Sequence, residues 1–173
     1  MDASECMKSL ASVRGFSERD VTEKEVEEIL RDASAAPSAG NIQDWRFIAV
    51  RNQGNRKRLA SAAFDQHFLG NAPVIIVVCS DMKEIGEAYG ERGKGLFSVQ
   101  DAAAAAQNLL LSAWNRGLGG CWVGSFDEKK VREILVLPEH VRPLVIIPLG
   151  YPKEKPRKHP RKSVDEILHK EFY

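Results

Sequence analysis

Residues 74–79 read Val-Ile-Ile-Val-Val-Cys, an unbroken β-branched run placed directly after Pro73. A strand with one wet face alternates apolar with polar residues, so a run without alternation predicts a central strand buried on both faces. Leu144-Val145-Ile146-Ile147-Pro148-Leu149 is a second run of the same kind. Between them, Ser98 to Arg116 is rich in alanine and carries Leu109, Leu110 and Leu111. Good helix formers in that number predict a long core helix, stopped by Gly117 and Gly119-Gly120.

The remaining elements are shorter. Cys6, Met7 and Leu10 share a helical face within residues 2–10. Thr22 with Glu25 three residues on is a capping box, and Val26, Ile29, Leu30 and Ala33 continue it as an apolar helical stripe. Pro37 and Gly40 end that helix in a loop of small residues, Ala36 to Asn41. Trp45 to Val50 reads as a strand, and residues 52–55 turn the chain into a polar helix around Arg56 to Phe64. Cys121-Trp122-Val123 is expected to form a short strand, and Asp127 to cap a helix through Leu135. Gly150-Tyr151-Pro152 opens a tail rich in proline and base, Lys153 to Lys162, before Ser163 and Glu166 cap a last helix carrying Ile167 and Leu168. No repeat, heptad pattern or linker interrupts the chain, so one domain over residues 1–173 is expected.

Composition narrows the function. With 43% hydrophobic and 28% charged residues the chain has the balance of a globular protein, and a net charge of +1 supplies no general field for a polyanion. Nucleic acid is therefore not an expected partner. Cys6, Cys79 and Cys121 lie far apart without a Cys-x-x-Cys, which suggests neither a disulfide framework nor a metal site. No segment has the roughly 20 apolar residues of a membrane span, and the first residues lack a signal-peptide core. A cytoplasmic location is the expectation.

Several clusters together resemble the nitroreductase family. They are Ser12-Val13-Arg14-Gly15-Phe16; Ala36-Pro37-Ser38-Ala39-Gly40-Asn41-Ile42-Gln43-Asp44-Trp45; Gln107-Asn108-Leu109; Gly117-Leu118-Gly119; Cys121-Trp122-Val123-Gly124-Ser125-Phe126; and Val164-Asp165-Glu166-Ile167. The resemblance implies an α+β fold of three layers, with a central mixed, mainly antiparallel sheet flanked by helices, in an intertwined homodimer. It implies FMN as cofactor, bound between subunits, and NADH or NADPH as electron donor. The implied reaction is ping-pong: hydride passes from NAD(P)H through FMN to an electron-poor small-molecule acceptor such as a nitroaromatic or quinone.

The same resemblance names site residues. FMN offers an anionic phosphate, a polar ribityl chain and a flat ring, and each needs a different neighbour. Ser12, Val13 and Arg14 form one half-site, with Arg14 serving either the phosphate or the ribityl and pyrimidine side, and Arg161 and Lys162 reach the phosphate from the other chain end. Pro37, Ser38, Ala39 and Asn41 belong to a loop lent by the neighbouring subunit. Trp122 and Val123 lie toward the ring, where the backbone of Gly124 or Ser125 would position N5, and Gln66 and His67 are further ring contacts. No side chain acts as acid or base, and no metal is expected. No Gly-x-Gly-x-x-Gly turn is present, as expected for a donor that visits the flavin pocket itself.

Three departures from the family pattern stand out. Leu10 and Ala11 replace the basic residues common before Ser12, Asp44 replaces the common proline before Trp45, and the stretch from Cys79 to Ser98 is short. A flavin-binding or flavin-storage module without catalysis is therefore the alternative. A binding protein that uses its basic tail on an acidic partner is a more distant one.

Overall fold

The computed structural model describes all residues, 1–173. Its sheet has four strands in the order β1-β2-β4-β3: β1 (Trp45–Val50), β2 (Val74–Asp81), β3 (Gly119–Gly120) and β4 (Val141–Gly150). Every pairing is antiparallel. β2 lies inside the sheet and is buried at every position. Its side chains divide by the two-residue period of a strand. Val74, Ile76 and Val78 join one core with α2 (Glu23–Ala33) and α6 (Ser98–Asn115), while Ile75, Val77 and Cys79 join another with α3 (Gln53–Ala62) and α7 (Glu128–Leu135). β4 divides likewise, with Val145, Ile147 and Leu149 to the first side and Ile146 to the second. The absence of alternation thus reflects helices on both faces of one sheet.

The remaining helices are α1 (Ala3–Ser9), α4 (Phe68–Asn71), α5 (Met82–Arg92), a π turn at Gly93–Phe97 that runs into α6, and α8 (Val164–Ile167). α2 opens as the capping box predicts, with Thr22 N–H donating to Glu25 at 2.8 Å and Glu25 N–H to the Thr22 hydroxyl at 3.2 Å. α3 begins at Gln53, not near Arg56, because the Asn52 side chain accepts the Asn55 N–H and caps it earlier. α5 fills much of the short stretch after Cys79.

The strand expected at Cys121 to Val123 is corrected. Ordered pairing covers Gly119 and Gly120, which face Gly150 and Leu149, and Val123 makes a lone bridge to Ile146 in the same register. Between them, Cys121 faces Pro148, which has no N–H to give, so the ladder breaks there. That break leaves Trp122 exposed and the chain after Val123 free of the sheet.

Residues 13–17 complete this edge. Val13 N–H donates to Gly120 O at 2.9 Å, Ser17 N–H to Tyr151 O at 2.8 Å, and Lys153 N–H to Gly15 O at 3.0 Å. The close approach depends on Gly119, where an added Cβ would lie 2.3 Å from Val13 Cγ2. Gly119→Ala is accordingly expected to cost about 1–3 kcal/mol of stability by prying this segment off. Urea unfolding checks it, and an unchanged midpoint would show that the edge yields without cost.

Candidate functional site

The edge built from residues 12–17 and 119–125 ends in a trough. One part, a cavity of about 280 Å³, is lined by Leu10, Ser12, Gln107, Gly120, Trp122 and Arg161 among others. The adjoining part, about 440 Å³, shares Ser12 and Arg161 and adds Lys8, Arg157, Lys158 and His159. No carboxylate lines this second part, and none of Lys8, Arg157, Lys158 or Arg161 forms a salt bridge. Lys158 Nζ donates only to the Lys8 carbonyl, at 3.2 Å. Unpaired cations around a hydroxyl form a donor set for an anion of more than one charge.

Around Trp122 the structure gathers most of the expected ring contacts. Gln66 Nε2 donates to Ser125 O at 3.3 Å and to Ala63 O at 2.9 Å, tying the end of α3 to this segment. The N–H groups of Gly124 and Ser125 donate to nothing in the chain. Val123 differs from its neighbours. It is buried and its N–H donates to Ile146 O at 3.0 Å, so it braces the segment and has no donor left to give. Val13 is likewise buried with its N–H engaged, and acts as a brace for Ser12 and Arg14.

The Arg14 guanidinium stands 5.8 Å from the centre of the Phe68 ring. Arg14 and the Ser12 hydroxyl both act on the buried Cys121 thiol, yet burial outweighs them and pushes that thiol up. Cys121 is therefore protonated at neutral pH and is no nucleophile. His67 precedes α4, is exposed, and makes no side-chain hydrogen bond. Lys162 is exposed and lines neither part of the trough.

The second expected group is the loop from Pro37 to Asn41, which continues to Gln43. Ala39 N–H donates to both Asp101 oxygens, at 3.1 and 3.0 Å, and Gln43 N–H donates to the Ser38 hydroxyl at 3.0 Å. Gly40, Asn41 and Gln43 have φ of 55°, 58° and 57°. Left-handed backbone at two residues other than glycine is costly and persists only where contacts over-determine it. Pro37 and Asn41 stay exposed. The loop meets the trough nowhere within the chain: it rests on the first turn of α6 at Asp101, whereas Gln107 borders the trough about 9 Å further along the helix, at 1.5 Å per residue. The two groups are separate in a single subunit.

Sequence reasoning missed Lys8, Arg157, Lys158, His159 and Gln107 in the trough. The tail cations were visible as a basic run, but nothing in their spacing told which of them return to Ser12. It also gave no role to Asp101, whose partner Ala39 lies 62 residues away in the chain.

The model of the nitroreductase family matches residues 8–67 and 60–151. An Archaeoglobus fulgidus protein, provisionally named NADH dehydrogenase/NAD(P)H nitroreductase, is 37% identical over 158 residues, covering 87% of this chain and 87% of the relative. The Bacillus subtilis FMN reductase (NADPH) is 29% identical over 175 residues, covering 94% of this chain and 70% of the relative. The solved structure of the Vibrio harveyi NADPH:FMN oxidoreductase, in complex with NAD+, is similar with a TM-score of 0.90 at 27% identity, covering 98% of this chain and 77% of that one.

Proposed function

The chain belongs to the nitroreductase family, and from that premise we propose that it is an FMN-dependent NAD(P)H oxidoreductase, a single-domain cytoplasmic enzyme working as a homodimer. The observation that carries this reading is the trough, with unpaired cations around Ser12 at one end and Trp122 at the other, where the chain runs on into the unengaged N–H groups of Gly124 and Ser125. Those features suit FMN, which is a dianion at one end and a flat polar ring at the other. FMN-reducing and nitro-reducing relatives point the same way.

Ser12, Arg157, Lys158 and Arg161 would hold the phosphate, with Lys8 adding charge from the end of α1. Arg14, beside Ser12, would serve the ribityl chain or the pyrimidine edge. Trp122 walls the trough, and Gly124 and Ser125 have N–H groups to offer a ring acceptor. Bound FMN would supply two-electron transfer from NAD(P)H to an electron-poor acceptor such as a nitroaromatic or quinone. The chain's own work is to orient, to exclude water behind the cofactor, and to place positive charge and amide dipoles near developing negative charge.

A second copy completes the site in this reading. Residues 157–173 are exposed throughout, and the tail's Val164, Ile167, Leu168, Phe172 and Tyr173 have nothing apolar to cover them in one subunit. The exposed loop tip at Pro37 and Asn41 would reach the partner's trough.

Purified protein should be yellow and should bleach on anaerobic addition of NADH or NADPH, with colour restored by a quinone. Protein that binds FMN but stays yellow with either donor would favour the storage alternative. Protein that never retains FMN would end the reading.

A further inference from the structure

Behind the exposed loop lies a buried acid pair that the proposed chemistry does not use. Asp44, at the position where the family pattern has proline, is fully buried at the start of β1, and Asp101 is almost so on α6. The Ser80 hydroxyl donates to Asp44 Oδ2, and Asp44 is within hydrogen-bond reach of Asp101. Asp44 Oδ1 is buried with no partner. Two carboxylates cannot sit together unpaired away from water, whereas one proton on Oδ1 would give the orphan atom a bond and remove the repulsion. Asp101 is the group that receives the Ala39 N–H through both oxygens.

We propose that Asp44 and Asp101 are positioning residues for the cofactor loop, sharing one proton whose presence fixes the backbone at Ala39 and whose loss to solvent loosens residues 38–43. The consequence for FMN rests on that loop's assignment to the cofactor. Burial pushes the Asp44 carboxyl up to about 6; the Ser80 hydroxyl opposes the rise and Asp101 adds to it. The folded chain thus binds this proton more tightly than the unfolded chain. Stability from the pair is complete at acid pH and is lost as pH rises from the ordinary aspartate range through about 6.

Other charged groups on the packed elements are occupied elsewhere. Asp81 on β2 gives its N–H to the Asp44 carbonyl but its carboxylate to Arg46, at 3.2 Å, with His140 at 3.8 Å, and Arg46 also holds Glu84 of α5 at 2.6 Å. From α5 the Tyr89 hydroxyl abuts Gly40. Among the leading influences on the Asp44 carboxyl, the one charge is that of Asp101.

The test measures two quantities from about pH 5 to about pH 8: the hydrogen-exchange protection factor of the Ala39 amide, and FMN affinity by quenching of flavin fluorescence. In the natural protein both should fall with rising pH, the affinity by about fivefold or more. Asp44→Asn, whose amide N–H stands in for the shared proton, should hold both flat. Ser80→Ala removes a donor that favours the ionised form, so its midpoint should move up; it also decides the matter if the asparagine variant does not fold. An Asp44→Asn profile that still titrates like the natural one overturns the proposal, as does Ser80→Ala with an unmoved midpoint. Should the protein bind no FMN at any pH while Ala39 protection titrates as described, the shared proton stands and the cofactor assignment falls.

Discussion

Ending the chain after Pro156 should lower FMN affinity by about a hundredfold or more and turn the proposed dimer into a monomer, with the sheet and its helices intact. Residues 157–173 are all exposed and give the rest of the subunit one hydrogen bond, Lys158 to the Lys8 carbonyl. Their loss therefore removes little that holds the core. What it does remove is Arg157, Lys158 and Arg161, the greater part of the cation set around Ser12. A hydrogen bond to a charged group contributes about 1.5–3 kcal/mol, and two such bonds to a phosphate account for the expected loss. It also removes the exposed Val164, Ile167, Leu168 and Phe172, the apolar surface a second copy would cover. Flavin titration, sedimentation and circular dichroism of the shortened chain measure the three effects separately. Native affinity in a folded, shortened chain would mean that the phosphate is held elsewhere.

The sequence made some layers of this molecule plain and left others hidden, and the difference is local against distant information. Six apolar residues from Val74 to Cys79 can be satisfied only between two helical layers, and they are. Thr22 and Glu25 are three residues apart, so their capping box needed no tertiary knowledge. The strand at Cys121 to Val123 failed because its partner, Pro148, is remote in sequence, and the missing N–H matters only once the two are opposed. The motif from Pro37 to Asn41 marked an unusual loop, and Gly40 and Asn41 within it have left-handed backbone. What holds the loop was not legible, since Asp101 sits in an alanine-rich stretch that reads as plain core helix. Asp44 showed only as a departure from proline; its meaning depends on Ser80 and Asp101 arriving beside it. Leu10 and Ala11 argued for a poor phosphate site, yet Lys8 on α1 and the returning tail put cations beside Ser12 from positions a motif cannot include.

Arg14→Ala should weaken FMN binding by about ten- to a hundredfold while leaving thermal stability nearly unchanged. Arg14 is exposed and pairs with no carboxylate, so its removal orphans no buried anion; the loss inside the subunit is a stacking contact with Phe68. A cation with so little to do in its own chain, yet held beside Ser12 and Cys121, has its favourable interactions reserved for something absent from the fold. Arg14→Lys would restore charge without the planar fork, and should recover part of the affinity. Comparing FMN with riboflavin separates the two roles open to Arg14. If it meets the phosphate, Arg14→Ala erodes the preference for FMN and leaves riboflavin binding nearly untouched. If it lies along the pyrimidine edge, both ligands weaken together and the bound flavin becomes harder to reduce, because the positive charge that would stabilise the reduced ring is gone. Equal affinity of variant and natural protein for both ligands would place Arg14 outside the site.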